Sequence, residues 1–122
     1  MIRDVTVEDK LWGVTRCIYR DETHEAWHAS IKEGGYSSRH YHRKMPNKFY
    51  VISGTLRVEV VGKGSDTEPQ ACYDLGPGQE LTVDDTVWHR FVVATKVEVI
   101  EFYWSHLQVG GDIVRSDFGG IK

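Results

Sequence analysis

Three histidines and one asparagine pose the chemical question of this sequence. His40 and His42 flank Tyr41, Asn47 follows five residues after His42, and His89 comes much later. In a β-strand, side chains at i and i+2 point to one face, so His40 and His42 are placed to grip one ion from one side. A third imidazole, His89 from a neighbouring strand, would complete a three-histidine face. Such a face leaves coordination positions open for water or substrate, as catalytic metal sites do. Two surface histidines on an edge strand would leave the same His-x-His string.

A second string competes for the metal. His24-Glu25-Ala26-Trp27-His28 spells HExxH, which on a helix sets two imidazoles one turn apart around zinc. Asp21 is placed to cap such a helix and Gly34 to end it. Yet Trp27, Ala29 and Ile31 alternate with His28, Ser30 and Lys32, as in a strand. Read as a strand, His24 and His28 stand about 13 Å apart, at roughly 3.3 Å per residue. One ion cannot bridge that distance.

The elements that must carry these residues are short and extended. Trp12, Val14, Cys17 and Tyr19 suggest a strand pair or one bulged strand. Phe49–Ile52, Leu56–Val60, Leu81–Val83, Trp88–Val93 and Val97–Trp104 add further apolar runs of strand length. Between them lie Gly34-Gly35, Ser53-Gly54, Gly62–Pro69, Gly76-Pro77-Gly78, Asp84-Asp85 and Ala94–Lys96, all turn compositions. Eight or nine short strands with such spacing predict an all-β antiparallel sandwich or barrel. One domain over 1–122 is expected, with a core at about 11–105 and a polar tail at 106–122 on the surface or against a partner subunit.

Composition narrows the function classes. The chain has 122 residues, 40% hydrophobic and 27% charged, which excludes disorder and fits one domain. A net charge of −3 argues against a nucleic-acid partner. No apolar run approaches the roughly 20 residues of a membrane span. Met1–Lys10 carries Asp4, Glu8 and Asp9 in place of an apolar leader core, and the two cysteines, Cys17 and Cys72, form no CxxC pair. A cytoplasmic location is expected, with neither nucleic acid nor membrane as partner.

Two spaced motifs identify a family resemblance. Gly34, His40, His42, Asn47 and Gly54 follow the spacing of the first motif of the cupin superfamily, which usually has Glu where Asn47 stands. Gly78, Asp84, Thr86 and His89 follow the second, with Asp84 and Thr86 in place of its Pro and Gly. The resemblance spans roughly residues 25–105 and implies a small antiparallel jelly-roll barrel holding a metal at His40, His42, His89 and Asn47. With a neutral oxygen at Asn47, the donors suit Zn, Fe, Ni, Cu or Co and hold Mn less well.

A narrower resemblance comes from His40-Tyr41-His42-Arg43, Tyr50–Thr55, His89-Arg90 and the tail Gly111–Gly119. These are similar to the cupin domain of type II mannose-6-phosphate isomerases, although Asn47-Lys48-Phe49 replaces that family's Glu-His-Trp. The resemblance implies a metal-dependent isomerase acting on, or binding, a small sugar or sugar phosphate. A metal polarises the sugar carbonyl and a base carries the proton between carbons. Arg43, ahead of Lys48 and Arg90, is expected to fix the phosphate, and Glu101, Glu80 or a free histidine to move the proton. Two alternatives stand beside it: a three-histidine non-haem iron dioxygenase of a small thiol or related substrate, and a non-catalytic ligand-binding cupin. Val97, Val99 and Tyr103 share one strand face, while Ile100, Phe102 and Trp104 share the other. One barrel core uses one face, so a homodimer is expected to cover the second, through Val97–Trp104 or Leu11–Tyr19.

Overall fold

Among the described residues there are strands and no helix. The computed structural model describes residues 1–42, 46–61, 71–85, 87–104, 113–115 and 119–121, with 42, 61 and 113–115 described by backbone alone. In chain order the first strands are β1 (Val7–Lys10), β2 (Gly13–Arg20), β3 (His24–Ile31), β4 (Gly35–Tyr36), β5 (His40–His42), β6 (Asn47–Ser53) and β7 (Leu56–Val61). Then come β8 (Ala71–Leu75), β9 (Glu80–Val83), β10 (Trp88–Val92), β11 (Val97–Trp104), β12 (Ile113–Arg115) and β13 (Gly120–Ile121). All pairings are antiparallel.

Two sheets result. One runs β1-β2-β3-β11-β6-β9; the other runs β12-β5-β10-β4-β13, with β7 pairing β10 and β8 pairing β7. The long strands β3 and β11 pair over their whole length, from Val97 opposite Ile31 to Trp104 opposite His24. Alternation sorts their side chains: Val97, Val99 and Glu101 are buried, while Phe102 is exposed. Between the sheets Ile31, Phe49, Val51, Val97 and Val99 meet Leu56, Val58, Phe91 and Val93. Each fully buried side chain of this size contributes about 1.5–3 kcal/mol. This is the antiparallel barrel that the strand spacing predicts, in the jelly-roll form that the family resemblance implies.

The HExxH string lies in β3, not on a helix, so the zincin arrangement does not form. The first apolar segment is one strand, β2, whose register shifts between Cys17 and Tyr19. The expected hairpin loop at Gly62–Pro69 falls on residues outside those described, although the strands on either side pair as a hairpin would. The pattern missed β1 and β8, whose side chains are mostly exposed and so carry little alternation. It also missed the ends of the chain, where β12 pairs β5 and β13 pairs β4. No helix among the described residues is long and apolar enough to cross a membrane.

Gly54 closes the β6–β7 turn at φ +83°, and a Cβ there would lie 2.5 Å from the Lys96 carbonyl oxygen. Both the backbone conformation and the close approach demand glycine. Gly54→Ala should lower stability by about 2 kcal/mol or more, read as a reduced midpoint in urea with an unchanged slope.

Candidate metal centre

His40 and His89 face each other across the β5–β10 pairing. Their ring centroids are 4.4 Å apart, with the planes inclined at 63°. Each ring is anchored by the same local device. Nδ1 of His40 lies 2.7 Å from the Ser38 carbonyl oxygen, and Nδ1 of His89 lies 2.9 Å from the Val87 carbonyl oxygen. A carbonyl only accepts, so each Nδ1 carries the proton and each Nε2 carries the lone pair. Metal-ligating histidines are commonly set in this tautomer by such a partner.

Asn47 opens β6 and is 1% exposed. Strand pairing sets it opposite Tyr103 on one side and Val83 on the other. Its Oδ1 and Nδ2 are both buried, and neither has a hydrogen-bond partner. Leaving such groups unmet costs about 1–3 kcal/mol each. In a well-packed barrel such unmet groups are rare, and a bound ion or water is one way to meet them.

His40, Asn47 and Glu101 line one cavity of about 390 Å³. Phe49, Phe91, Trp12, Trp27 and Tyr103 form its aromatic walls, and β1 brings Glu8, Asp9 and Lys10 to it. His89 packs behind this wall, with its ring centroid 6.2 Å from that of Phe49. Trp27 is held in place by its indole N–H, which donates to Glu25 at 2.7 Å, and by the Arg20 guanidinium 5.6 Å over its ring. Glu25 of the HExxH string thus serves a cavity wall.

Glu101 is buried, and the Tyr103 hydroxyl donates to its Oε2. Burial pushes its carboxyl above the usual carboxylate range, against the opposing pulls of the Tyr103 hydrogen bond and the Lys10 charge. Burial pushes His89 the other way, down to about 4, with the Val87 carbonyl opposing. Burial thus weakens the basicity of the His89 imidazole and the acidity of the Glu101 carboxyl.

The remaining sequence candidates divide. The backbone of His42 pairs with Ile113; its side chain and all of Arg43 lie outside the described residues. Among the described residues no group of three His, Cys, Asp or Glu gathers as a metal site. His24 lies apart, with Nδ1 2.7 Å from the Thr23 hydroxyl and 3.4 Å from Asp21. His28 pairs with Glu98 at 3.0 Å. Sequence reasoning missed Ser38 and Val87, which act through carbonyls common to every residue type. Tyr103 could have been found, because it sits two residues from Glu101 on the same strand face.

The Asn47 amide oxygen, a hard neutral donor, and the Nε2 atoms of His40 and His89, borderline neutral donors, are of types that late first-row metals accept.

Comparison with known proteins agrees on the fold. A family model described as "Cupin domain" matches residues 27–106. KdgF from Halomonas sp. superposes with a TM-score of 0.71 at 16% identity, over 83% of this chain and 88% of that one. An RmlC-like cupin from Shewanella frigidimarina NCIMB 400 gives 0.70 at 20% identity, over 83% and 84%. Oxalate decarboxylase from Bacillus subtilis gives 0.76 at 18% identity, over 93% of this chain but 30% of that one. This chain therefore spans about a third of the oxalate decarboxylase. The comparison with curated protein sequences found no match.

The two shifted groups give opposite pH signatures in metal-free protein. His89 binds its proton more weakly folded than unfolded, so stability should fall as pH drops from about 6.5 to about 4, by on the order of 3 kcal/mol. Glu101 binds its proton more tightly folded, so its contribution is full in acid and lost as pH rises above the usual carboxylate range. Glu101→Gln should therefore be more stable than the parent at pH 8 and lose that advantage in acid. Urea melts across pH check both signs.

Proposed function

Because this chain belongs to the cupin family, we propose that it is a metal-dependent cupin acting on a small, polar, sugar-like ligand by proton transfer. The observation that carries this is Asn47: a fully buried amide with both polar atoms unmet, on the wall of a cavity shared with His40 and Glu101. His40, His42, His89 and Asn47 would hold the ion. When bound, a late first-row divalent metal polarises a carbonyl and its adjacent hydroxyl.

The chain's own residues supply the rest. Ser38 and Val87 fix the imidazole tautomers, so the rings do not reorganise on loading. Burial raises the pKa of the Glu101 carboxyl inside the cavity, with Tyr103 positioning one carboxyl oxygen. A carboxyl with a raised pKa is suited to pass a proton near neutral pH. The aromatic walls offer flat apolar faces to a sugar-like carbon skeleton. Arg43, next to the histidine strand in sequence, is proposed to grip a phosphate where the ligand has one.

Elemental analysis of untagged protein tests the reading. Bound zinc, iron, nickel, copper or cobalt is expected. His40→Ala and His89→Ala should each weaken metal binding more than about 100-fold, a larger loss than for a residue that only orients a ligand. His24→Ala should leave it unchanged. Aldose–ketose interconversion without oxygen supports isomerase chemistry; oxygen uptake with bound iron would move the site to the dioxygenase class.

The outer face of the first sheet supports a homodimer. Tyr19, Tyr50, Ile52 and Phe102 are exposed there. Its flanking charges are paired within the face, Lys48 with Glu80 at 3.4 Å and Lys96 with Glu98 at 3.5 Å. A face whose charges are already matched can meet its own copy without like-charge repulsion. Phe102→Asp should shift sedimentation from dimer to monomer; a monomeric parent at high micromolar concentration overturns the dimer.

A further inference from the structure

The cavity wall carries more negative than positive charge. Among the described residues that line it, Glu8, Asp9 and Glu101 are acidic, and Lys10 is the one lysine or arginine. Lys10 pairs with Glu8 at 3.0 Å on the edge strand, and Asp9 beside them is exposed. Glu101 lies deeper, only 8% exposed. Its Oε2 accepts from Tyr103, and among the described residues it makes no ion pair. A buried carboxylate without a cation beside it is costly.

Strand register sets what stands next to that carboxyl. Glu101 on β11 is opposite Trp27 on β3 and opposite Phe49 on β6. Tyr103, two residues on, is opposite Asn47. Asn47 and Glu101 are therefore diagonal neighbours on the inner sheet face, a backbone spacing of about 7–8 Å. Nδ2 of Asn47 is a buried donor with no partner, and only an acceptor can meet it. The carboxylate is complemented by a cation, the amide N–H by an oxygen, and a short segment of ligand spans the two. Trp12, Trp27, Phe49 and Phe91 add ring systems to the same wall, and aromatic faces attract organic cations.

We propose that this cavity selects an amino sugar, or a similarly small amino alcohol, whose ammonium group donates to Glu101 and whose neighbouring hydroxyl oxygen accepts from Asn47 Nδ2. The inference rests on the sugar-like ligand proposed above and adds its charge class. A cavity of about 390 Å³ limits the ligand to a small molecule. A sugar without the amine would leave Glu101 uncompensated.

The test compares D-glucosamine with D-glucose, which differ by an ammonium in place of one hydroxyl. Binding to the untagged protein is measured by calorimetry and by tryptophan fluorescence, since Trp12 and Trp27 line the cavity, at a pH where the amine is protonated. Glucosamine should bind about tenfold more tightly than glucose, or better, as a charge-assisted hydrogen bond with ring contacts provides. In Glu101→Gln, which keeps the shape and removes the charge, the ratio of the two affinities should fall below threefold. Lys10→Gln removes a competing positive charge from the exposed edge strand and should raise that ratio by about twofold or more. Equal affinities, or a preference for glucose, in the parent protein overturn the proposal and leave the neutral sugar-like ligand standing; this comparison needs no variant. A full glucosamine preference in folded Glu101→Gln overturns it, as does a ratio that stays level or falls in Lys10→Gln. Binding of neither sugar removes this proposal and the sugar-like ligand together.

Discussion

The cross-strand pairing of His40 with His89 is the constraint around which this barrel is organised. It brings two imidazoles that are 49 positions apart in the chain to a centroid distance of 4.4 Å. It also buries both rings, so their polarity has to be managed from within. The backbone does this, with carbonyls at Ser38 and Val87 each accepting from the ring two residues on. Strand geometry makes such a bond available at i−2, and no second side chain is consumed. The barrel can thus bury histidines while keeping their Nε2 nitrogens in a defined state.

The two sheets divide the labour. The first sheet is long, and its inner face grades along β11 from Val97 and Val99 to Glu101 and Tyr103. One end of the sandwich is accordingly a dry core of Val, Ile, Leu and Phe. The other end is a lined cavity. A uniform apolar stripe would fill the barrel completely; the change to Glu and Tyr at alternate positions makes packing give way to a site. Stability and function share the same strands, at opposite ends.

β1 couples the edge of the first sheet to the site. Among the described residues it pairs with β2 alone, yet it carries Glu8, Asp9 and Lys10 to the cavity. The Lys10 charge already acts on Glu101. Thus a strand with almost no buried apolar surface influences the protonation of a buried carboxyl.

Much of this was legible in the sequence, and for identifiable reasons. Period-two alternation in Val97–Trp104 and Trp27–Ile31 specifies strands because only extended backbone sends alternate residues to one side. It also argues against a zinc helix at HExxH, and the strand β3 then rules that helix out. Gly54 is legible because positive φ has few other tenants. The His-x-His spacing marked His40, and the second motif marked His89. The sequence could not show which residues become partners across space. That Asn47 would be sealed with both polar atoms unmet, that Tyr103 would hold Glu101, and that β12 would lie beside the histidine strand follow from register between distant strands. Local chemistry determines the face each residue presents. Only the closing of two sheets decides what that face meets, because burial and dielectric belong to the assembled barrel and to no single residue.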